Sequence, residues 1–206
     1  MPRSSKSQAD ATRTAILGRA TALGSIEGLE ALSIGRLADD LGLSKSGVIG
    51  PFRSKENLQL AAVEAAIASF TREVWEPAAA QTPGLTRLGA IMDAWLSYLE
   101  REVFPGGCFL TAASLEFDDR PGAVRELLAA AWQRWSGVIE REVATAQAQE
   151  ELCETLDPAQ VSFQLHAYVM AGNWAKQLFG DADSLRGSRA AVERLLAPSA
   201  AEDLRE

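Results

Sequence analysis

The sequence predicts an all-α protein, in which a three-helix helix-turn-helix domain at residues 1–58 precedes a larger helical body at residues 59–206. Three observations lead there. Apolar residues recur at helical spacing along most of the chain, and no segment alternates convincingly as a strand. The stretch from Ser33 to Leu58, SIGRLADDLGLSKSGVIGPFRSKENL, reads as two short helices joined by a glycine-bearing turn, the second opening on serine and lysine. With 206 residues, 47% of them hydrophobic, the chain can bury a substantial core.

The elements follow in order. MPRSSKSQAD has no apolar signal core and reads as a flexible basic arm. Ile16, Leu17, Ala20 and Leu23 then make a helical stripe after Thr12 and Arg13, with Gly24 and Gly28 flanking its exit. Ser33 suits an N-cap, its hydroxyl accepting a first-turn N–H. Ile34, Leu37, Ala38 and Leu41 form the next stripe, and Gly42 allows a left-handed C-terminal turn. Ser44 caps a second short helix through Ile49, and Pro51 biases Gly50 away from helical angles. Lys45 and Ser46 occupy its first turn, where base contacts are made in helix-turn-helix proteins; the plain alternative is an ordinary helical hairpin with solvated polar residues.

Beyond Phe52, Ser54 opens an Ala-rich helix expected to stop before Pro77. Another is expected over residues 85–103, followed by the Pro105-Gly106-Gly107 interruption and a short helix from Cys108 to Leu115. Pro121 suits the first turn of a long helix to about Gln149, with Asp118 and Asp119 as cap and dipole partners. With Glu116 those acids could be read as a metal cluster, but helix-start chemistry is the better account. Asp157-Pro158 begins a helix to Phe179, Ser184 or Ser188 opens the last one, and residues 198–206 form a solvated tail.

Charge divides unevenly. Eight basic and six acidic side chains give residues 1–58 a charge of +2, and the whole chain carries −8, leaving −10 on residues 59–206. An acidic body repels DNA, so any contact belongs to the N-terminal part. No apolar run of about 18 residues suggests a membrane span. Cys108 and Cys153 are isolated, neither a disulfide framework nor a zinc pattern, and fit reduced thiols in the cytoplasm. One histidine, no metal-ligand cluster, no phosphate loop and no nucleophile elbow argue against an enzyme.

From Thr12 to Leu58, the register of Leu37-Ala38, Gly42-Leu43-Ser44-Lys45, Phe52 and Ser54-Lys55-Glu56 resembles the N-terminal domain of the TetR family of transcriptional regulators. The resemblance implies a recognition helix carrying Ser44, Lys45, Ser46, Gly47 and Ile49. It also implies phosphate contacts at the helix starts around Ser33 and Lys55, with Arg36 and Arg53 completing the DNA-facing candidates. Ile49 stands where an aromatic residue is usual, and Gly50-Pro51 replace polar or ring side chains, which leaves fewer anchors for the backbone; Ile49 could instead meet a thymine methyl.

For the C-terminal body the resemblance implies an effector-binding and dimerisation domain. Leu128, Trp132, Trp135 and Ile139 share a stripe, and Phe70, Trp95, Leu99, Phe104, Cys108, His166 and Met170 complete the pocket candidates together with the first three. For any single aromatic here, ordinary core is the plainer reading, and so is an inert buried thiol for Cys108 and a satisfied core histidine for His166. Leu165, Val169, Gly172 and Lys176, with Val192 and Leu195 on the last helix, are the dimer candidates. The implied partners are double-stranded operator DNA, a small apolar or aromatic effector of unknown identity and a second copy of the chain; no cofactor or membrane is implied. The alternative is a ligand-binding or scaffold protein with a degenerate reading head.

Overall fold

The computed structural model describes residues 3–181 and 183–197, and every regular element among them is helical. The expectations for residues 198–206 lie outside the described residues. In order the elements are α1 (Arg3–Glu27), α2 (Ile34–Leu41), α3 (Lys45–Ile49), α4 (Lys55–Phe70), a π-helical turn (Thr71–Trp75), α5 (Glu76–Ala79) and α6 (Leu85–Glu100). They continue with α7 (Phe109–Phe117), α8 (Ala123–Ala148), α9 (Pro158–Phe179) and α10 (Ser184–Leu195).

The chain forms two compact units. The first gathers Met1–Ser69 with Phe104–Ala129, the second Phe70–Val103 with Ala130–Glu206. These units differ from a split at residue 58, because α7 packs on α1 and joins the unit that carries the helix-turn-helix.

In the first unit, Ile16, Ala20 and Leu23 of α1 meet Leu29, Leu32, Leu37, Ala38, Val48, Phe52 and Leu58 in a buried core. Helix α1 begins at Arg3, well before the expected stripe, so the presumed arm is helical from there. Glu116 of α7 closes the α1–α2 connection: its two carboxylate oxygens accept the N–H groups of Leu29 (2.6 Å) and Glu30 (3.0 Å). The acid therefore satisfies orphan backbone donors, and no group of three or more metal-capable side chains is gathered among the described residues. Close approach of α7 to α1 needs small residues. A Cβ on Gly106 would stand 1.8 Å from the Ser25 carbonyl oxygen, and one on Gly24 2.8 Å from the Phe109 ring.

In the second unit, α6, α9 and α10 pack together, with Leu88, Ile91, Met92, Trp95, Leu96, Leu165 and Val169 fully buried. The helical run that begins as α4 does not stop before Pro77. The backbone widens into the π turn and continues as α5 with Pro77 in its first turn. Proline lacks an N–H and its ring collides with the carbonyl four residues earlier; a wider turn accommodates both. Pro121 also sits outside its expected place, two residues ahead of α8, and Asp118 contributes its backbone oxygen to Arg125 (2.9 Å). Asp157 caps α9 as expected, accepting the Ala159 N–H at 3.2 Å, and Gly180 ends it in the left-handed region at φ 65°.

Candidate DNA-reading head and aromatic site

The helix-turn-helix is built by its caps. Ser33 accepts the Arg36 N–H at 3.4 Å, while Gly42 at φ 63° lets Leu43 N–H reach the Ala38 carbonyl at 2.9 Å. Ser44 accepts the Gly47 N–H at 3.0 Å and starts α3, which has five residues. Gly50 keeps helical angles in spite of Pro51 (φ −50°, ψ −48°). The helix ends instead where the Phe52 and Arg53 N–H groups both turn back to the Ile49 carbonyl, at 2.9 and 2.8 Å, with Arg53 left-handed at φ 70°. Val48 faces the core, leaving Ser44, Lys45 and Ser46 exposed on the opposite side and Gly47 and Ile49 half-buried.

The other candidate contacts differ in availability. Arg36 donates to Glu27 at 2.7 Å. Lys55 donates to the Glu30 carbonyl oxygen at 2.5 Å and lies 3.4 Å from its carboxylate. The Glu30 carboxyl is held below its usual range, first by the Gln59 amide (2.9 Å) and then by Lys55. Arg53 is exposed. Two contacts that local sequence pattern does not signal hold the head together: the Arg19–Asp40 ion pair (2.7 Å) between α1 and α2, and the Arg13 guanidinium stacked 4.6 Å from the centre of the Phe52 ring.

The ten expected pocket residues divide between the units. Phe104, Cys108 and Leu128 belong to the first; Phe70, Trp95, Leu99, Trp132, Trp135, His166 and Met170 belong to the second. Burial pushes the Cys108 thiol up, against weaker opposing bonds from Thr111, which leaves it protonated at neutral pH. In the second unit the rings converge. Phe70 meets Trp95, Tyr98 and Trp135 edge-on at centroid distances of 5.4, 5.7 and 4.9 Å, and Trp95 meets Trp135 at 5.7 Å. His166 stands 5.3 Å from both Trp95 and Trp132. Its Nδ1 lies 2.7 Å from the Ser162 carbonyl, so Nδ1 carries the proton and Nε2 is the free lone pair of the neutral ring. Desolvation lowers its pKa, with Ser162 and Glu140 pulling the other way. Nε1 of Trp95, Nε1 of Trp135 and Nε2 of His166 are all buried without a hydrogen-bond partner.

The residues expected at the dimer surface are used inside the protomer. Leu165, Val169 and Val192 are buried, and Gly172 has no room for a Cβ, which would lie 2.2 Å from Ser188 Oγ of α10. Lys176 donates to the Leu99 carbonyl at 2.7 Å and pairs with Glu102 at 3.2 Å. Lys176 and Leu195 are half-exposed. The helix is apolar nearly all round, so its sequence does not say which side faces its own chain. The face left open carries Phe163 (68% exposed), Ala167, Ala171, Trp174 (58%) and Leu178 (60%), one stripe along α9. Beside it a shallow groove of about 250 Å³ runs between α9 and α10, floored by Gly172, Gly187 and Ser188.

An all-helical chain with a capped helix-turn-helix and a separate helical body defines a class of DNA-binding regulators. Residues 84–192, just over half the chain, match the tetracyclin repressor-like C-terminal domain. The protein belongs to the TetR family of transcriptional regulators. The fold is shared with a TetR transcriptional regulator from Chloroflexus aurantiacus (24% identity, 92% of this chain and 97% of that one, TM-score 0.84). It is shared also with AibR, solved with isovaleryl coenzyme A and operator DNA (20% identity, 91% and 99% covered, TM-score 0.73). A third likeness is a putative regulator from Saccharomonospora viridis solved with choline (20% identity, 91% and 96% covered, TM-score 0.77). No curated protein matches the sequence, and no helix among the described residues is long and apolar enough to cross a membrane.

Proposed function

We propose that this regulator is a homodimeric repressor that binds a near-palindromic operator and is released from it by a small molecule. The observation that carries the reading is α3: Ser44 fixes its start, Val48 anchors its back, and Lys45 and Ser46 stand exposed on its first turn. In such an arrangement first-turn side chains reach base edges in the major groove. Two-fold symmetry would set the two heads about one DNA turn apart, roughly 34–36 Å, or a multiple of it. The open apolar stripe of α9 supports pairing with a second copy, and the aromatic cluster of α4, α6, α8 and α9 supports effector binding. An effector that shifts operator affinity 5–150-fold supplies a coupling of about 1–3 kcal/mol.

The test is selection of bound duplexes from a random pool at low salt. A two-fold symmetric consensus is the expected outcome, and Lys45→Ala should weaken binding to it. Failure to enrich any sequence would favour the scaffold or ligand-binding alternative, with α3 a structural hairpin.

A further inference from the structure

Resting on the reading of the aromatic cluster as an effector site, we propose that Trp95, Trp135 and His166 select an uncharged planar molecule bearing a carbonyl acceptor and an N–H or O–H donor, such as an aryl carboxamide. The cluster is assembled from four helices: Phe70 at the end of α4, Trp95 on α6, Trp132 and Trp135 on α8, and His166 on α9. Aromatic side chains at helical spacing are ordinarily core, and a core needs only ring bulk. Here three nitrogens, each on a ring in contact with Trp95 or belonging to it, are sealed from solvent without partners. Buried polar atoms are rarely left so, and each of them calls for a partner. Ser162 Oγ, one turn before His166 on α9, is a fourth such atom.

The chemistry of those atoms narrows the ligand. An indole N–H only donates, so Trp95 and Trp135 offer two donors. His166 has committed Nδ1–H to the Ser162 carbonyl, so Nε2 offers one acceptor, and desolvation keeps the ring neutral. Two donors and one acceptor complement an amide or a hydroxy-ketone. A cluster rich in rings would ordinarily suggest an organic cation. The rings already engage one another, however: Phe70, Trp95 and Trp135 meet near-perpendicular at 4.9–5.7 Å, and what they leave unpaired is the indole N–H of each tryptophan. An anion would suit those donors, but the charge acting on His166 is the negative one of Glu140. A neutral acceptor suits both constraints, and a flat aromatic body can replace ring–ring contacts in kind.

Isothermal titration of the full-length protein without DNA tests this with four probes of one shape: benzamide, benzoate, phenyltrimethylammonium and toluene, at millimolar concentration. Benzamide should bind best. Trp95→Phe and Trp135→Phe should each weaken benzamide about tenfold (~1.4 kcal/mol) and leave toluene unchanged, with thermal melts verifying that each variant is folded. Tighter binding of the cation or of benzoate would overturn the assignment, as would equal binding of toluene. Binding of no probe would do so too, the nitrogens then being satisfied by water. Wild-type probe ranking decides the matter even if a variant fails to fold. The outcome is separable from the regulator reading: a protein that ignores all four probes yet enriches an operator overturns only this inference.

Discussion

Glu116 illustrates how much a single side chain can decide. Its carboxylate takes two backbone donors at the exit of α1 that no helix can satisfy, since Gly28 there is left-handed at φ 91°. Glu116→Gln would turn an NH₂ group toward one of those N–H groups and orphan it; a loss of about 1–3 kcal/mol in denaturant unfolding is expected. An unchanged midpoint would mean that water replaces the carboxylate at no cost. His166 decides a pH dependence. Its folded pKa is depressed, so the unfolded chain binds the proton more readily, and stability falls as pH drops through the unfolded value of about 6.5. The loss levels off once pH passes below the folded value. Relative to His166→Gln, the wild type should therefore lose stability on acidification below pH ~6.5, and, as this is the chain's one histidine, parallel curves would refute the shift. Of these roles, the serine caps could be read from sequence because they are local. Glu116 could not, since its partners lie 86 and 87 residues away.

At the scale of elements, α9 carries the main lesson. Its apolar residues run almost round the helix, so periodicity announced a buried helix without saying which side faces its own chain. The missing signal lay in α10: Ser184 and Ser188 donate to the Gly172 and Tyr168 carbonyls at 3.1 and 2.7 Å, and they require Gly172 to face inward. A glycine opposite two small serines marks close helix packing, and that pairing was available in the sequence. With the inner side settled, Phe163, Trp174 and Leu178 form the candidate contact with a second copy. Trp174→Glu places a charge on that stripe without disturbing the buried side. Light scattering should report a monomer, with the melting temperature of the monomer's fold nearly unchanged. Dimers persisting in both Trp174→Glu and Phe163→Glu would move the interface elsewhere. The π turn before Pro77 is a different case. Proline announces a break in the helix ladder, but whether the chain stops or widens depends on packing that no local pattern encodes.

For the molecule as a whole, the division of charge sets the terms on which it meets DNA. Residues 1–58 carry +2 against −10 for the remainder, so attraction to phosphate is weak and must come from few side chains. The motif register names candidates for those side chains, but not their prior engagements. Arg36 is paired with Glu27 and Lys55 with Glu30, whereas Lys45 stands exposed. A cation already paired must give up that partner before it can displace a counterion from DNA. Two variants separate the cases in a salt titration on the selected operator. Lys45→Ala should weaken binding and, if the ammonium sits on a phosphate, flatten the log–log salt slope by about 0.9 per head. If it reads a base instead, affinity should drop for the consensus by about 1–3 kcal/mol with specificity relaxed at one position. Glu30→Gln removes the carboxylate charge beside Lys55, keeps the Glu30 backbone carbonyl that accepts from it and leaves a neutral amide near Gln59. Should Lys55 then reach a phosphate, operator affinity rises and the slope steepens by a similar amount per head. A Glu30→Gln protein with unaltered slope would place Lys55 among the bonds that build the reading head, with phosphate binding left to the backbone N–H groups at the start of α4.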